Sequence, residues 1–403
     1  MSETYTITTF DGARAAYRQK ELRQALYDAG EVVMGDVLVN LHGDEHRARR
    51  RLENRLFRRD IFTHYENDLF PAIIDQTLEP WVAAGGAELV TLSHEMMMNL
   101  AALISGVDRP QRTTDESLHL YRYLMKFIEG ATLAHSTRDK AEVSAEVLAA
   151  LEAWDDEFLT PSIAVRRAAL DRLAAGEITE DGLAKDVLTV LLRNQDNLHL
   201  PHEVLRREIA FFLLAGAHTS ATAFTRSIDR IFGWLAAHPE DGPRVRSDRM
   251  FVQRCVHETI RLHPSSPVGM RWAEADIPLP DGRTARPGDK VVIDLMAVNR
   301  DPATFGADGA DFNPERKLPD GVAPYGLSFG TGMHACIGQD LSGGLVPNPD
   351  GTGADPHLFG LVAVAVQAMF DRGVAFDPDA PPSIDTTTAR PYWARYPVRF
   401  TPG

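Results

Sequence analysis

The sequence predicts a mainly α-helical fold with a small β part. Apolar residues recur at helical spacing through the first two-thirds of the chain, as in residues 69–82. A longer helical stretch covers residues 201–234. Later the pattern changes: Lys290–Leu295 reads as a strand, and proline, glycine and aspartate dominate from there to Ala323. No linker separates these regions, so we expect one domain over residues 1–403.

Capping residues and glycines give the predicted helix boundaries. Thr91 or Ser93 can cap a helix that stops at Gly106, and Gly176 can end another. In chain order the predicted helices span about 69–82, Thr91 or Ser93 to Gly106, Leu118–Ala134, Ala141–Leu159, Ile163–Ala175, Pro201–Trp234 and Met250–Leu262.

Composition excludes several classes of protein. The formal net charge of −15 argues against nucleic acid as a partner. Two cysteines, Cys255 and Cys336, cannot form a disulfide framework and fit a reducing compartment. The chain has no apolar run long enough to cross a bilayer, and its first ten residues do not resemble a secretory signal. We therefore expect a cytoplasmic protein without a membrane anchor.

A basic patch stands out against this acidic background. Arginines crowd the segment Arg47–Arg59, with Glu53 as the only acidic residue between Arg47 and Arg59. Such a patch on an acidic protein is typical of a local docking surface. A solvated helix face fits the pattern equally well, and the sequence leaves both interpretations open.

The most specific motif runs from Phe329 to Gly338, with sequence FGTGMHACIG. It places Phe329, His334, Cys336 and Gly338 at fixed offsets within a glycine-rich loop. Glycines let a loop wrap closely around a sulfur atom, and a thiolate that binds iron needs nearby N–H donors. A buried structural cysteine is the usual alternative for a lone thiol, but the surrounding pattern argues against it here.

On these residues the chain resembles the cytochrome P450 family, in particular its soluble bacterial members. The resemblance implies the family's fold, a triangular helical body with a long central helix over heme b. It implies that Cys336 is the metal ligand, that Phe329 shields the sulfur and that His334 reaches a heme propionate. Gly338 belongs to the same cofactor-binding loop.

Two further motifs resemble the family's structural network. Glu258 and Arg261 match its Glu-x-x-Arg pair, and spacing i, i+3 puts both side chains on one helix face. Arg316, in Pro-Glu-Arg, is the candidate third member. An exposed helix pair is the alternative for the first two residues alone.

Cationic residues elsewhere resemble the family's heme anchors. His46 and Arg50 lie one helical turn apart, as in the family's His-x-x-x-Arg, where both residues bind one propionate. Arg271 resembles the arginine on the other propionate. Cations facing carboxylates make charge-assisted hydrogen bonds, which suits this role. A solvated His46 is the alternative.

The long helix carries the segment AGAHTS, residues 215–220. The resemblance implies that Gly216 leaves room for dioxygen and that Thr219 helps to deliver protons. His218 stands where the family usually has an acid. Histidine titrates near neutral pH, so it could relay protons or redirect the relay. The alternative is a glycine kink beside a threonine that bonds back to its own helix.

Two features depart from the family. The chain ahead of His46 is short, so we expect the N-terminal strands and first helix to be truncated or absent. Residues 343–356 interrupt the helix expected after the cysteine loop and lie near the proposed docking face.

The resemblance implies a monooxygenase that inserts one oxygen atom from dioxygen into a small organic substrate. Electrons would come from NAD(P)H through an acidic ferredoxin or flavodoxin docked at Arg47–Arg59. A peroxide-driven enzyme and a non-catalytic heme protein are the alternatives. Candidate substrate contacts, for which helical core packing is equally plausible, are Phe211, Phe212, Ala215, Val268 and Met270.

Overall fold

The computed structural model describes residues 2–348, 353–354, 356–386 and 392–401. The α-helices within these residues are α1 Phe10–Tyr17, α2 Glu31–Met34, α3 Gly43–Glu53, α4 Arg59–His64, α5 Phe70–Ala83, α6 Leu89–Ser105, α7 Thr114–Ala131, α8 Lys140–Trp154, α9 Thr160–Ala174, α10 Val187–Arg193, α11 Gln195–Leu198, α12 His202–Ala237, α13 Gly242–Ser247, α14 Arg249–Leu262, α15 Leu295–Val298, α16 Pro302–Phe305, α17 Gln339–Gly343 and α18 Leu361–Asp371.

The strands are short and form small sheets. They are β1 Thr4–Ile7, β2 Leu22–Gln24, β3 Gly86–Glu88, β4 Val268–Ala273, β5 Ile277–Pro278, β6 Thr284–Ala285, β7 Lys290–Asp294, β8 Val374–Phe376, β9 Ser383–Ile384, β10 Trp393–Arg395 and β11 Pro397–Phe400. The largest sheet has the order β1-β7-β4-β2, with β1 parallel to β7 and the other pairs antiparallel. The predicted mainly α-helical fold with a small β part is confirmed.

The long helix α12 runs through the core and packs closely on α6. Leu213, Ala217 and Ala221 of α12 are fully buried. A Cβ atom on Gly216 would lie 3.1 Å from the Cβ of Ala101 on α6. A glycine inside a helix costs about 1 kcal/mol relative to alanine, and the close approach of the two helices explains why one stands here.

The predicted helices are all present, with differences at their ends. The N-cap of α6 is Glu88, whose side chain accepts from the Thr91 N–H at 2.9 Å, so the predicted caps Thr91 and Ser93 are wrong. Gly106 ends this helix with φ of 92°. Helix α5 continues α4 through one π-helical turn, Tyr65–Leu69.

The expectation that strands and a helix are absent ahead of His46 is wrong. Strand β1 pairs with β7 along its length, and α1 follows it. Tyr5 and Ile7 are buried while Thr4 and Thr6 are exposed, which is the alternation of a strand with one covered face. Strand β1 has only four residues, which is too short for its alternation of buried and exposed residues to be recognised from sequence. Truncation relative to the family stays a prediction.

After the cysteine loop, two helices are separated by a non-helical stretch, and an insertion relative to the family stays a prediction. The first helix, α17, ends at Gly343, and the second, α18, begins at Leu361. Residues 349–352 and 355 of the predicted interruption lie outside the described residues. Among the residues that the structure describes, no helix has both the length and the apolar character of a membrane span.

Candidate functional site

The cysteine loop folds back on itself so that Phe329 and Cys336 become neighbours. The Cys336 N–H donates to the Phe329 carbonyl at 2.8 Å. Gly330 and Gly332 have φ of 64° and 75°, which side-chain-bearing residues rarely adopt. A Cβ atom on Gly332 would also collide with the backbone of Tyr17. The glycines of the motif are therefore required by the shape of the loop.

The sulfur of Cys336 lies on the wall of an internal cavity. Protein surrounds the residue, yet its side chain keeps accessible surface, and that surface faces the cavity. Burial raises the pKa of the Cys336 thiol, while a hydrogen bond from the Gly338 backbone and the charge of Arg50 lower it. Such N–H and cationic neighbours suit a sulfur that carries negative charge.

This cavity, of about 300 Å³, lies between the cysteine loop and α12. Its walls bring together most of the predicted site residues. They include Phe329, His334, Cys336, Gly338, His46, Arg50, Arg271, Gly216, Thr219, Phe211, Phe212, Ala215 and Val268. Two predicted residues, His218 and Met270, are not among the residues that line it.

Two histidines, His334 in the loop and His46 beside it, have buried ring nitrogens without a hydrogen-bond partner within the described residues. The rings of His46 and His334 lie 4.4 Å apart. Both nitrogens of His46 and Nε2 of His334 lack partners within the described residues. Burial lowers the pKa of His46 to about 4 and that of His334 to about 3. A solvated His46 is therefore excluded, because the residue is only 2% exposed.

Two arginines extend this cluster. Arg50 donates through Nη2 to the Ala335 carbonyl at 2.7 Å, next to the sulfur. Strand β2 pairs with β4 so that Gln24 lies opposite Arg271, and the Gln24 side chain accepts from the Arg271 guanidinium. Arg271 also lies 5.2 Å from the centre of the Tyr17 ring. Sequence reasoning missed Tyr17 and Gln24.

On α12, adjacent residues face different surroundings. Thr219 lines the cavity, and its Oγ1 donates to the Ala215 carbonyl at 2.7 Å. This is the bond back to its own helix that the alternative interpretation of the segment predicts. The His218 ring instead stacks near His94 at 5.8 Å and lies 5.6 Å from Tyr392. Consecutive helical residues differ by about 100° in direction, which explains the separation.

The predicted charged network has the contacts expected of it. Arg261 is fully buried and donates to both oxygens of Glu258, at 2.6 and 2.7 Å. Arg316 donates through Nε to Glu258 at 3.1 Å. The remaining guanidinium nitrogens reach backbone carbonyls, such as that of Asn299 at 2.5 Å. An exposed helix pair is therefore the wrong interpretation of Glu258 and Arg261.

Comparison with known proteins shows which family the chain resembles. The sequence model described as Cytochrome P450 matches residues 150–343. Cyclooctat-9-en-7-ol 5-monooxygenase of Streptomyces melanosporofaciens is 25% identical over 361 residues, covering 81% of this chain and 74% of that protein. The crystal structure of CalO2 superposes with a TM-score of 0.74 at 20% identity, covering 99% of this chain and 91% of that one. These matches support the cytochrome P450 family for this chain.

Other cytochrome P450 proteins show the same relationship. Mycinamicin VIII C21 methyl hydroxylase of Micromonospora griseorubida is 35% identical over 143 residues, covering 36% of this chain and 34% of that protein. CYP109E1 from Bacillus megaterium, crystallised with corticosterone, has a TM-score of 0.72 at 16% identity, covering 99% of this chain and 92% of that one. As a P450 monooxygenase family member, the protein is an oxidoreductase.

Membership of the cytochrome P450 family implies a heme-iron cofactor, a substrate and a redox partner. The cavity fits a heme chemically. It offers one sulfur on its wall, apolar surface from Phe329, and unpartnered imidazole nitrogens beside arginines at one end. Those nitrogens and guanidinium groups are the donors that two carboxylates would require.

Proposed function

We propose that this cytochrome P450 holds heme b through Cys336 and inserts one oxygen atom from dioxygen into a small organic substrate. A single observation carries the proposal: Cys336 lines one cavity together with Gly216 and Thr219 of α12. When bound, the heme iron supplies oxygen activation, and the thiolate favours O–O cleavage. The protein's part is to hold the cofactor, orient the substrate and manage protons.

We assign the cationic end of the cavity to the heme carboxylates. His46 and Arg50 would hold one propionate, and Arg271 would hold the other. His334 would bind one of the two propionates. The support is that His46 and His334 have buried nitrogens lacking a partner within the described residues. Buried polar atoms are rarely left unsatisfied in native proteins, and a propionate would satisfy them.

Thr219 is the residue we assign to proton handling. Its hydroxyl donates its hydrogen to the Ala215 carbonyl, so Oγ1 can act only as an acceptor toward the cavity that Thr219 lines. An oxygen in that state accepts a hydrogen bond, and it would hold a proton-bearing group close to the substrate. Gly216 would leave space beside it. Substrate contacts fall to Phe211, Phe212, Ala215 and Val268, which line the cavity, and not to Met270.

The arginine patch is the proposed site for an acidic ferredoxin or flavodoxin that carries electrons from NAD(P)H. The patch does not lie on one helix: Arg47 and Arg51 are on α3, Arg55 follows it, and Arg59 begins α4. All four are exposed, whereas Arg49 is buried against Glu208 at 2.6 Å. Exposed charges that steer a partner raise the association rate.

The partner proposal is tested by reversing charge at Arg51 and Arg55. We expect the double variant to be reduced by a ferredoxin about tenfold more slowly at low salt, since steering by several charges changes rates by 10-fold or more. The difference should shrink at high salt. Arg193→Glu, on the exposed end of α10, is the matched control and should keep the wild-type rate. Equal rates for all three proteins would contradict the proposed docking surface.

The cytoplasm is the proposed compartment. Its support is the cysteine usage, because the buried Cys255 and the cavity-lining Cys336 form no disulfide.

The reaction is tested with isotopically labelled dioxygen. A screen for small molecules that shift the ferric heme from low to high spin identifies a substrate. With a ferredoxin system and labelled dioxygen, we expect one labelled oxygen atom in the product. A product whose oxygen comes from water would contradict the proposal.

A peroxide-driven enzyme is the second candidate. The observation that favours it is His218, which replaces the usual acid and is not among the residues that line the cysteine cavity. Turnover with hydrogen peroxide but not with reduced ferredoxin would select this function.

A further inference from the structure

A second cavity, of about 740 Å³, lies beside α12 away from the cysteine loop. Residues of α6, α7, α8 and α12 form its walls. On α12, Thr219 and Ser220 line the cavity of Cys336, whereas His218, Ala221 and Thr222 line the second one. The two cavities therefore use different faces of the same helix, and the proposed monooxygenase chemistry does not employ the second.

Four of the charged groups at this cavity are paired with each other. Of the other cations that line it, Arg122 contacts Nδ1 of His119 at 2.7 Å and Arg226 lies 5.4 Å from the centre of the Tyr392 ring. Lys126 contacts Glu129 at 3.1 Å and Glu146 at 2.5 Å. Arg138 contacts the same two carboxylates, at 2.8 and 2.6 Å. Because these charges neutralise one another, they offer no strong site for an ionic ligand. The cavity fits a neutral molecule.

The walls are mainly apolar, and two of the hydroxyl groups there are already bonded within their own helix or turn. Val90, Ile128 and Ala150 contribute aliphatic surface. The hydroxyl of Thr132 donates to the Ile128 carbonyl at 2.8 Å, and that of Thr222 donates to the His218 carbonyl at 3.0 Å. A ligand in this region would therefore meet largely apolar surface.

His94 of α6, one of the lining residues, carries a buried hydrogen-bond acceptor. Its Nδ1 lies 2.9 Å from the Val90 carbonyl, so Nδ1 must carry the hydrogen. Nε2 then has a lone pair, and it has no partner within the described residues although the side chain is only 9% exposed. Burial lowers the pKa of His94, which keeps the imidazole neutral. The rings of His218 and Tyr121 lie 5.8 and 6.1 Å away and form an aromatic surround.

We propose that this second cavity binds a neutral, mainly apolar aromatic molecule that donates one hydrogen bond, from a hydroxyl or N–H group, to Nε2 of His94. The aromatic body would pack between the α6, α7 and α12 walls, and the donor would satisfy the buried nitrogen. His218, the departure from the family pattern, then belongs to this binding site and not to the cysteine cavity.

The experiment uses holoenzyme saturated with 4-phenylimidazole, an azole that coordinates heme iron and fills the cysteine cavity. The probes are 4-ethylphenol and its methyl ether, 4-ethylanisole, titrated by calorimetry. We expect 4-ethylphenol to bind saturably at one site and the ether about tenfold more weakly, the size of one hydrogen bond to a buried acceptor. This comparison needs only the wild-type protein.

Two variants locate the site. His94→Phe keeps the ring but removes Nε2, and should reduce 4-ethylphenol binding to the level of the ether. Ala150→Trp should block both probes by filling the cavity. Unchanged thermal melting identifies variants that are folded. The proposal is overturned by the absence of saturable binding to the azole-blocked enzyme, or by equal 4-ethylphenol affinity in wild type and His94→Phe.

Discussion

Two polar clusters lie near the cysteine loop, and they differ in whether their buried polar atoms have hydrogen-bond partners. In the first, Glu258, Arg261 and Arg316 bond to one another and to backbone carbonyls. In the second, His46 and His334 lie side by side with ring nitrogens that meet no partner within the described residues. A closed cluster stabilises the fold, whereas an open one is suited to a ligand. Each can be changed separately.

The largest expected effect comes from Glu258→Gln in the closed cluster. The substitution keeps the shape but leaves the fully buried Arg261 without its counter-charge, while Arg316 keeps the carboxylate of Asp308 at 3.0 Å. Breaking a buried ion pair by removing one partner costs about 3–5 kcal/mol. We expect the free energy of unfolding, measured with urea, to fall by that amount, or folded protein to fail to accumulate. A loss below about 1 kcal/mol would mean that the cluster is less important than its contacts indicate.

The open cluster should respond in the opposite direction. His46→Phe removes unsatisfied buried nitrogens, so the heme-free protein should become more stable by about 1–3 kcal/mol. The same change removes donors to a propionate, so heme should transfer to excess apomyoglobin about tenfold faster or more.

The exposed His64 supplies the matched control for that prediction. It pairs with Asp68 on the surface at 2.7 Å, so His64→Phe should alter neither stability nor heme transfer. If His46→Phe destabilises the heme-free protein and leaves heme transfer unchanged, the open cluster is structural after all.

A third cluster contains both a buried carboxylate with hydrogen-bond partners and a buried carboxylate without them. Glu208 is fully buried but bonds to Arg49 and to the Leu38 N–H, while the buried oxygens of Glu53 have no partner within the described residues. Burial raises the pKa of Glu53 well above its ordinary value, with Glu208 adding to the rise and Arg49 and Arg50 opposing it. Burial likewise raises the pKa of Glu208 to about 7.

These shifts give a pH dependence of defined sign. An unfolded glutamate titrates near about 4.3. Because the folded pKa values are higher, folding favours the protonated forms, and the contribution of these two glutamates to stability falls as the pH rises from about 5 through 7. His46 and His334, whose pKa values are lowered by burial, contribute a change of the opposite sign, so the glutamates are tested by a difference between variants. Glu53→Gln should remove part of this slope and stabilise the protein at pH 8 by more than about 1 kcal/mol. Glu152→Gln, at an exposed site, should follow the wild-type curve. A stability difference between wild type and Glu53→Gln that stays constant over this pH range would contradict the assignment.

The sequence was most informative where the signal is local. The cysteine loop and the Glu258–Arg261 pair were predicted because their residues lie within one short segment each. Gln24 was missed because it reaches the site through the pairing of β2 with β4, and Tyr17 because it contacts Arg271 from the end of α1. Both contacts join residues about 250 positions apart in the sequence. Short-range patterns do not encode such a pairing.

Helix ends and helix rotation were harder to predict for related reasons. Glu88 caps α6 in place of Thr91 or Ser93, and it also accepts from the Tyr396 N–H of a distant segment. Whether His218 or Thr219 faces the cysteine cavity depends on how α12 is rotated against α6. That rotation is set by the close contact of Gly216 with Ala101, which only the folded structure reveals.

The most direct test of the account is the spectrum of the reduced carbonyl complex. The account predicts a thiolate-type Soret band for wild type, an imidazole-type band for Cys336→His, and an unchanged thiolate-type band for Cys255→Ala, because Cys255 is buried in the core away from the cavity. An imidazole-type band in wild type, or a thiolate-type band that survives Cys336→His, would contradict it.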